Sequence, residues 1–247
     1  MAEDTPTNTT GGATADRGVD GTGLSRVFVV IAAYEEGGKI GEVVSAVRAR
    51  YPDVVVVDDG SSDETSRSAS ESGATVLRHA VNRGQGAALQ TGIDFALAHG
   101  AGYIVTFDAD GQHEPADIDA MLEPIRRGEC EVTLGSRFLG EAVGMPRRRR
   151  FLLRLAVLFG SAFSGISLTD AHNGFRAFSR EAAERIEITL DRMAHASEIV
   201  DQVRRKCLTY KEVPVRISYT SYSLGKGQSS RRAAKIALDY LLGKVLR

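Results

Sequence analysis

At 247 residues, with 43% hydrophobic and 26% charged residues, the chain has an ordinary globular composition and the length of one domain with small additions. A net charge of −1 excludes a general nucleic-acid binder, which would carry a marked basic excess. Two cysteines, Cys130 and Cys207, without paired spacing exclude a disulfide framework and a zinc ribbon and suit a reducing cytoplasm.

Residues 1–25 are rich in Thr, Gly, Asp and Ala and read as a disordered tail without a secretory signal. Order is expected from Arg26. Val27–Ala33 is an unbroken apolar run, too short for a helix, and reads as a buried strand. Ile40, Val43, Val44 and Val47 recur at helical spacing. Val54–Val57 is a second buried strand, followed by the acidic loop Asp58–Asp63 and a short helix for which Ser62 or Asp63 is the expected N-cap. Strand Thr75–Leu77, a Gly- and Ala-rich helix over Gln85–Ala98 and strand Tyr103–Phe107 come next. After Pro115, a favourable first helical residue, Ile118, Met121, Leu122 and Ile125 mark another helix, and Val132–Leu134 another strand.

Strands that are unbroken apolar runs, alternating with helices, predict an α/β protein with a mostly parallel sheet flanked by helices. Ligands of such sheets bind beyond the carboxyl ends of the strands. Tyr34-Glu35, Asp58–Asp63 and Asp108–His113 all follow strands, so they are expected to converge on one crevice.

The second half is less regular. A basic run, Arg147–Arg150, leads into an apolar segment, Phe151–Leu168, which Arg154 interrupts and which is rich in Gly and Ser, so that no apolar run reaches the length of a membrane span. A polar stretch over Asp170–Arg176, a helix near His195–Arg205 and a strand over Tyr210–Ser218 follow. Residues 226–247 carry Ala234, Ala237, Leu238, Leu241, Leu242 and Val245 on one face of an amphipathic helix packed on, or extending, the domain.

Asp108 and Asp110, alternate residues at a strand end, point the same way. Two such carboxylates can hold Mg²⁺ or Mn²⁺, hard cations that bridge phosphates, with Gln112 or His113 completing the shell. A solvated acidic turn would look the same, but a second acidic loop aimed at the same crevice favours the metal. Asp58–Asp63 is not a calcium loop, because Ala69 stands where a ligating glutamate is required. Asp59 there could accept the N–H groups of a uracil or guanine base. Asn82–Ala88 has the glycines of a phosphate loop without the Gly-Lys-Ser/Thr of a Walker sequence. His79, His99, His172 and His195 show no ligand spacing and read as structural or solvent-exposed.

Four ordered segments, Val29–Glu35, Val57–Asp63, Asn82–Gly86 and Asp108–His113, resemble family 2 glycosyltransferases. Within that family they are similar to the dolichyl- and polyprenyl-phosphate hexose synthases, as are Gly135–Phe138 and Asn173–Arg176. The resemblance spans residues 26–225. It implies a GT-A fold, a UDP- or GDP-sugar donor, inversion at the anomeric carbon and a Mg²⁺ or Mn²⁺ cofactor. Carried over by position, Tyr34, Glu35 and Asp59 would hold the nucleoside, with Ala33, Asn82, Gly86, Asp108 and Ala109 lining the same donor site. Asp108, Asp110 and Gln112 would hold the metal, Arg137 would meet the acceptor phosphate, and Glu198 falls near the family's catalytic acidic residue. Two positions depart from the pattern: the usual Pro is Ala32 or Ala33, and the usual Asn after Tyr34 is Glu35.

A phosphate acceptor is already a nucleophilic oxyanion near neutral pH, so arginines that align it matter more than a base. A sugar hydroxyl would need one, and Glu198 or Asp170 is then the candidate. The implied product is a polyprenyl-phosphate-linked hexose made at the cytoplasmic face of the membrane for cell-envelope glycan or glycoprotein synthesis. Arg147–Arg150 beside Phe151-Leu152-Leu153 suits contact with anionic headgroups, although a solvated charge run before a core helix has the same composition. The carboxy-terminal membrane helices of many relatives are not found in this sequence, and a separate membrane-protein anchor is one expectation. A soluble transferase acting on a small acceptor and a non-catalytic nucleotide-sugar-binding scaffold are the competing expectations. The oligomeric state is left open.

Overall fold

The computed structural model describes residues 25–146, 148, 150, 151, 153, 157, 168–170, 173–190 and 195–219. The expected N-terminal tail (apart from Ser25), most of the 147–168 segment and the expected terminal helix lie outside these residues.

Strands β1 (Val27–Ala33), β2 (Asp53–Asp58), β3 (Thr75–Arg78) and β4 (Tyr103–Asp108) alternate with helices α1 (Ile40–Arg48), α2 (Thr65–Glu71) and α3 (Gln85–Ala98). Helix α4 (Asp117–Arg126) leads to β5 (Val132–Val143). The short strand β6 (Arg176–Ser179), helices α5 (Arg180–Arg185) and α6 (His195–Arg205), and β7 (Tyr210–Ser218) complete the described elements. Their sheet has the order β3-β2-β1-β4-β6-β5-β7. β1, β2, β3 and β4 run parallel, β6 is antiparallel to both neighbours, and β5 pairs parallel with β7. Pro214, which lacks an N–H, is tolerated because β7 is an edge strand of this sheet.

Alternation along the strands sends side chains to two cores. Val29, Ile31, Val105, Phe107 and Phe175 pack beneath α1 and α4, while Val30, Val55, Ile104 and Phe178 pack beneath α3, α5 and α6. Both faces are covered, which is why the central strands read as continuous apolar runs.

The first half follows its sequence pattern closely, and three details differ. β5 runs to Val143, past the expected end at Leu134, because Gly135 and Ser136 interrupt its apolar run without interrupting its pairing. β6 and α5 were not expected. β6 is only four residues long, and α5 starts where Ser179 Oγ accepts the Ala182 amide at 3.1 Å. Neither Ser62 nor Asp63 is the N-cap of α2; that position falls to Glu64, which makes no side-chain capping bond. Asp63 instead joins two loops, accepting from Thr65 N at 3.0 Å and Gly37 N at 2.9 Å.

Candidate active site

The carboxyl ends of β1, β2 and β4 lie side by side, with Ala33 opposite Asp58 and Ala32 opposite Asp108. The loops leaving these ends are pinned to one another by carboxylates. Glu35, at a φ of 56°, accepts Ser62 N and Ser62 Oγ at 2.8 Å, and its own amide donates to Ser61 Oγ at 2.9 Å. A positive φ is costly for a residue with a Cβ and is commoner for Asn, so these bonds hold Glu35 in a conformation it does not favour alone. Gly60 has a φ of 79°, and a Cβ there would stand 2.9 Å from Asn82 N and Val81 C. Only glycine lets the second acidic loop lie against the 81–84 turn so closely.

Asp59, expected to hold a base, is 2% exposed. Its carboxylate accepts Arg83 N at 2.9 Å, Gly84 N at 2.6 Å and His79 Nδ1 at 2.7 Å. The geometry assigns it to shaping the Asn82–Gly86 turn. Asn82 itself is exposed, and Tyr34 retains 49% of its surface at the mouth. Ala33 and Ala109 are buried in the core beneath, and Ala33 O accepts Asp59 N at 2.8 Å. Gly86 is buried, since a Cβ there would meet Leu190 O at 2.3 Å.

Asp108 and Asp110 stand at the centre. The Asp108 side chain is 31% exposed, and its Oδ2 accepts from His113 Nε2 at 2.8 Å. The His113 ring is wedged between Phe107 and Phe175, with centroids 5.2 and 5.0 Å away. It therefore orients Asp108 from behind and is not turned toward the crevice. Gln85 Nε2 approaches Asp108 Oδ1 at 3.4 Å, and Gly174 lies so close that an added Cβ would be 2.5 Å from the same oxygen. Gln112 closes the turn, donating its amide to Asp110 Oδ1 at 3.0 Å and accepting Ser218 N at 2.9 Å through its carbonyl.

Burial opposes ionisation of Asp108, but the attraction and hydrogen bond of His113, helped by His195 and Arg137, keep its carboxyl below the usual range. Asp110 goes the other way: burial, then the charge of Asp108, raise it to about 6. Two hard-oxygen ligands whose charges are incompletely neutralised make a fit for a divalent cation. Among the described residues no trio of His, Cys, Asp or Glu forms a closed cage. The donor set thus suits an ion that takes its remaining ligands from phosphate and water, as Mg²⁺ and Mn²⁺ do. Without metal, the raised pKa of Asp110 adds stability below 3.8, and that contribution is lost as pH rises through about 6. A bound metal reverses the trend, because it needs the carboxylate. Mn²⁺ is expected to raise the melting temperature at about pH 7.5 and to do little at about pH 5; equal gains at both would remove Asp110 from the ligand set.

The remaining candidates are buried and bonded within the protein. Arg137 is 8% exposed in a buried ion pair. Its Nε and its amide donate to Asp170 Oδ2 at 2.6 and 3.1 Å, and Nη1 donates to Tyr219 Oη at 2.6 Å. Burial alone would lower the Arg137 pKa, yet Asp170 and Tyr219 raise it, so the guanidinium stays charged. Asp170 is thereby engaged by Arg137 through Oδ2. Glu198 is 7% exposed and accepts Thr189 N at 3.1 Å, Thr189 Oγ1 at 2.5 Å and Leu190 N at 2.9 Å. With its oxygens occupied, it anchors the 188–190 loop to α6.

Sequence reasoning passed over several contributors. Arg176 is buried on β6, bonded to Asn173 O and Ala196 O, and lowered by desolvation to about 10 against the opposing pull of Asp108 and Asp170. Gly174 and Arg176 lay within a segment noted for its resemblance, but only the fold reveals their distance from Asp108. His195, read as structural, is buried close enough to Asp108 to stabilise its charge.

These features have counterparts among known proteins. Over 228 residues the chain is 38% identical to an uncharacterized protein of Methanocaldococcus jannaschii, covering 89% of this chain and 92% of that one. Over 249 residues it is 31% identical to the UDP-N-acetylglucosamine–dolichyl-phosphate N-acetylglucosaminyltransferase of Methanococcus voltae, covering 89% and 98%. Its backbone is similar to glucosyl-3-phosphoglycerate synthase from Mycobacterium tuberculosis, solved with Mn²⁺, uridine-diphosphate-glucose and phosphoglyceric acid. That likeness has a TM-score of 0.66 at 19% identity, covers 88% of this chain and 77% of the other, and is one of fold. With residues 28–187 matching Glycosyl transferase family 2, the chain belongs to that family and is a glycosyltransferase with its α/β architecture.

Proposed function

We propose that this glycosyltransferase moves a hexose from a UDP- or GDP-sugar to a polyprenyl-phosphate lipid, with inversion, at the cytoplasmic face of a membrane. The observation that carries the reading is the state of the two expected bases. Asp170 is locked to Arg137, and Glu198 is occupied by backbone and hydroxyl donors. An acceptor hydroxyl would need a free carboxylate, whereas a phosphate monoester supplies its own oxyanion. The name of the Methanococcus voltae relative, with its dolichyl-phosphate acceptor, supports the same reading.

Asp108, Asp110 and Gln112 would hold Mg²⁺ or Mn²⁺, which when bound supplies Lewis-acid stabilisation of the departing nucleoside diphosphate. Tyr34, Glu35 and the 82–86 turn frame the nucleoside, and Arg137 aligns the acceptor phosphate from the opposite wall. Arg137 helps to keep the Asp108 carboxyl low, which supports donor and acceptor sites that share one crevice. Among the described residues no helix is long and apolar enough to cross a membrane. The basic run Arg147–Arg150 and the 64%-exposed Phe151 suit peripheral contact with an anionic leaflet.

The test is nucleotide release from a panel of UDP- and GDP-sugars with Mn²⁺, offering short polyprenyl phosphate, unphosphorylated polyprenol or phosphoglycerate as acceptor. Release that needs polyprenyl phosphate, with labelled sugar extracted into organic solvent, is the expected result. Release with phosphoglycerate but not with the lipid would replace the reading by a soluble transferase.

A further inference from the structure

We infer that Glu212 on β7 and Tyr219 just beyond it are positioning residues for Arg137, and through it for the acceptor phosphate; this rests on the reading of Arg137 given above. The ladder between β5 and β7 is interrupted beside Arg137. Its register runs evenly from Val132 opposite Tyr210 to Ser136 opposite Pro214, then jumps to Glu141 opposite Arg216. Residues 137–140 stand on the β5 side against Val215 alone and leave the ladder as a bulge, a device that re-aims side chains beside active sites. Ser136 Oγ accepts Phe138 N at 3.3 Å and Leu139 N at 3.2 Å at the start of the excursion. Gly140 closes it where a Cβ would stand 2.3 Å from Val215 O. Arg137 is the first residue expelled.

A bulge frees a side chain without fixing where it points. That task falls to residues distant in the chain. Glu212 accepts Thr169 N through both oxygens at 2.9 and 3.0 Å, Thr169 Oγ1 at 2.8 Å and Asp170 N at 3.2 Å. Thr169 Oγ1 also lies 2.6 Å from Ser136 Oγ, tying this turn to the base of the bulge. The turn so held delivers Asp170 to Arg137 Nε, while Tyr219 Oη takes Nη1. A planar guanidinium gripped through Nε and Nη1 by two separate elements has its orientation determined, and the directions of its other N–H donors with it. Neither Glu212 nor Tyr219 has to touch substrate to set where a phosphate binds.

The experiment compares wild type with Tyr219→Phe, Glu212→Ala and Glu212→Gln, measuring kcat and separate KM values for nucleotide-sugar and short polyprenyl phosphate. Nucleotide affinity with Mn²⁺ is measured by calorimetry, and melting temperature is recorded. Tyr219→Phe and Glu212→Ala are expected to raise the acceptor KM by ~10-fold or more, the loss of one hydrogen bond to a charged group. The donor KM and nucleotide affinity are expected to stay at wild-type values, and Glu212→Gln, which keeps a carbonyl acceptor, to recover part of the loss. An acceptor KM unmoved by Tyr219→Phe, which removes a single oxygen, overturns the inference. So does a parallel decline of donor and acceptor constants with the melting temperature. Wild type that transfers nothing to polyprenyl phosphate overturns the functional reading as well, and the wild-type control alone reveals that case.

Discussion

Replacing Asp110 by alanine is expected to abolish nucleotide release while leaving the fold intact. The side chain stands on a turn beyond β4, and its carboxyl is raised to about 6 by burial and by Asp108, so removing it relieves repulsion. The metal-free variant should therefore melt no lower than wild type near neutral pH. On the proposed function, what it loses is a metal ligand at the point where charge develops on the leaving diphosphate. That charge stabilisation is worth several kcal/mol, so kcat is expected to fall by ~10³-fold or more. Mn²⁺-dependent stabilisation should vanish together with it. An Asp110→Ala protein that still gains stability from Mn²⁺ and still releases nucleotide would dismiss the acidic pair as the metal site.

Gly174→Ala is expected to be nearly as damaging although it removes nothing. An added Cβ would stand 2.5 Å from Asp108 Oδ1, 2.8 Å from Oδ2 and 3.0 Å from Cγ, well inside normal contact. Asp108 is backed by His113 Nε2 and its own strand, so the carboxylate cannot retreat without giving up that bond. Displacement of a reacting-site group by a fraction of an ångström to an ångström costs ~10²-fold in rate. Overpacking of this kind also costs about 1–3 kcal/mol of stability. The decisive reading is kcat with Mn²⁺ affinity, taken on protein whose circular dichroism is native. Wild-type values for both would mean that the position of Asp108 is not critical.

The contrast between Asp110 and Asp59 shows what a sequence can disclose about such a site. β1, β2 and β4 are legible because both faces of the sheet are covered, which leaves unbroken runs such as Val54–Val57. Their polar ends then identify the crevice without further information. Whether a carboxylate at that crevice is available is another matter. Asp59 is occupied by amides 24 and 25 residues away, and Glu198 by a loop 8 and 9 residues before it. Arg137 finds its partners 33 and 82 residues along the chain. Lone pairs consumed by distant backbone leave no trace in local spacing. β6 escaped for a simpler reason: at four residues it is too short to show a period, and it begins with a buried arginine.

The place of β6 in the sheet governs the order in which the enzyme can be assembled as it is synthesised. β1 to β4 form one parallel unit that is complete once the chain has passed residue 108, with the free edge of β4 left for β6. β5 is made next but cannot join them, because β6 lies between it and β4. It must wait for residues 176–179, and its outer edge waits for β7. The wall bearing Arg137 is thus finished last, when Tyr219 is in place. On the proposed function, the elements that would frame a nucleotide are thus made before those that would align an acceptor.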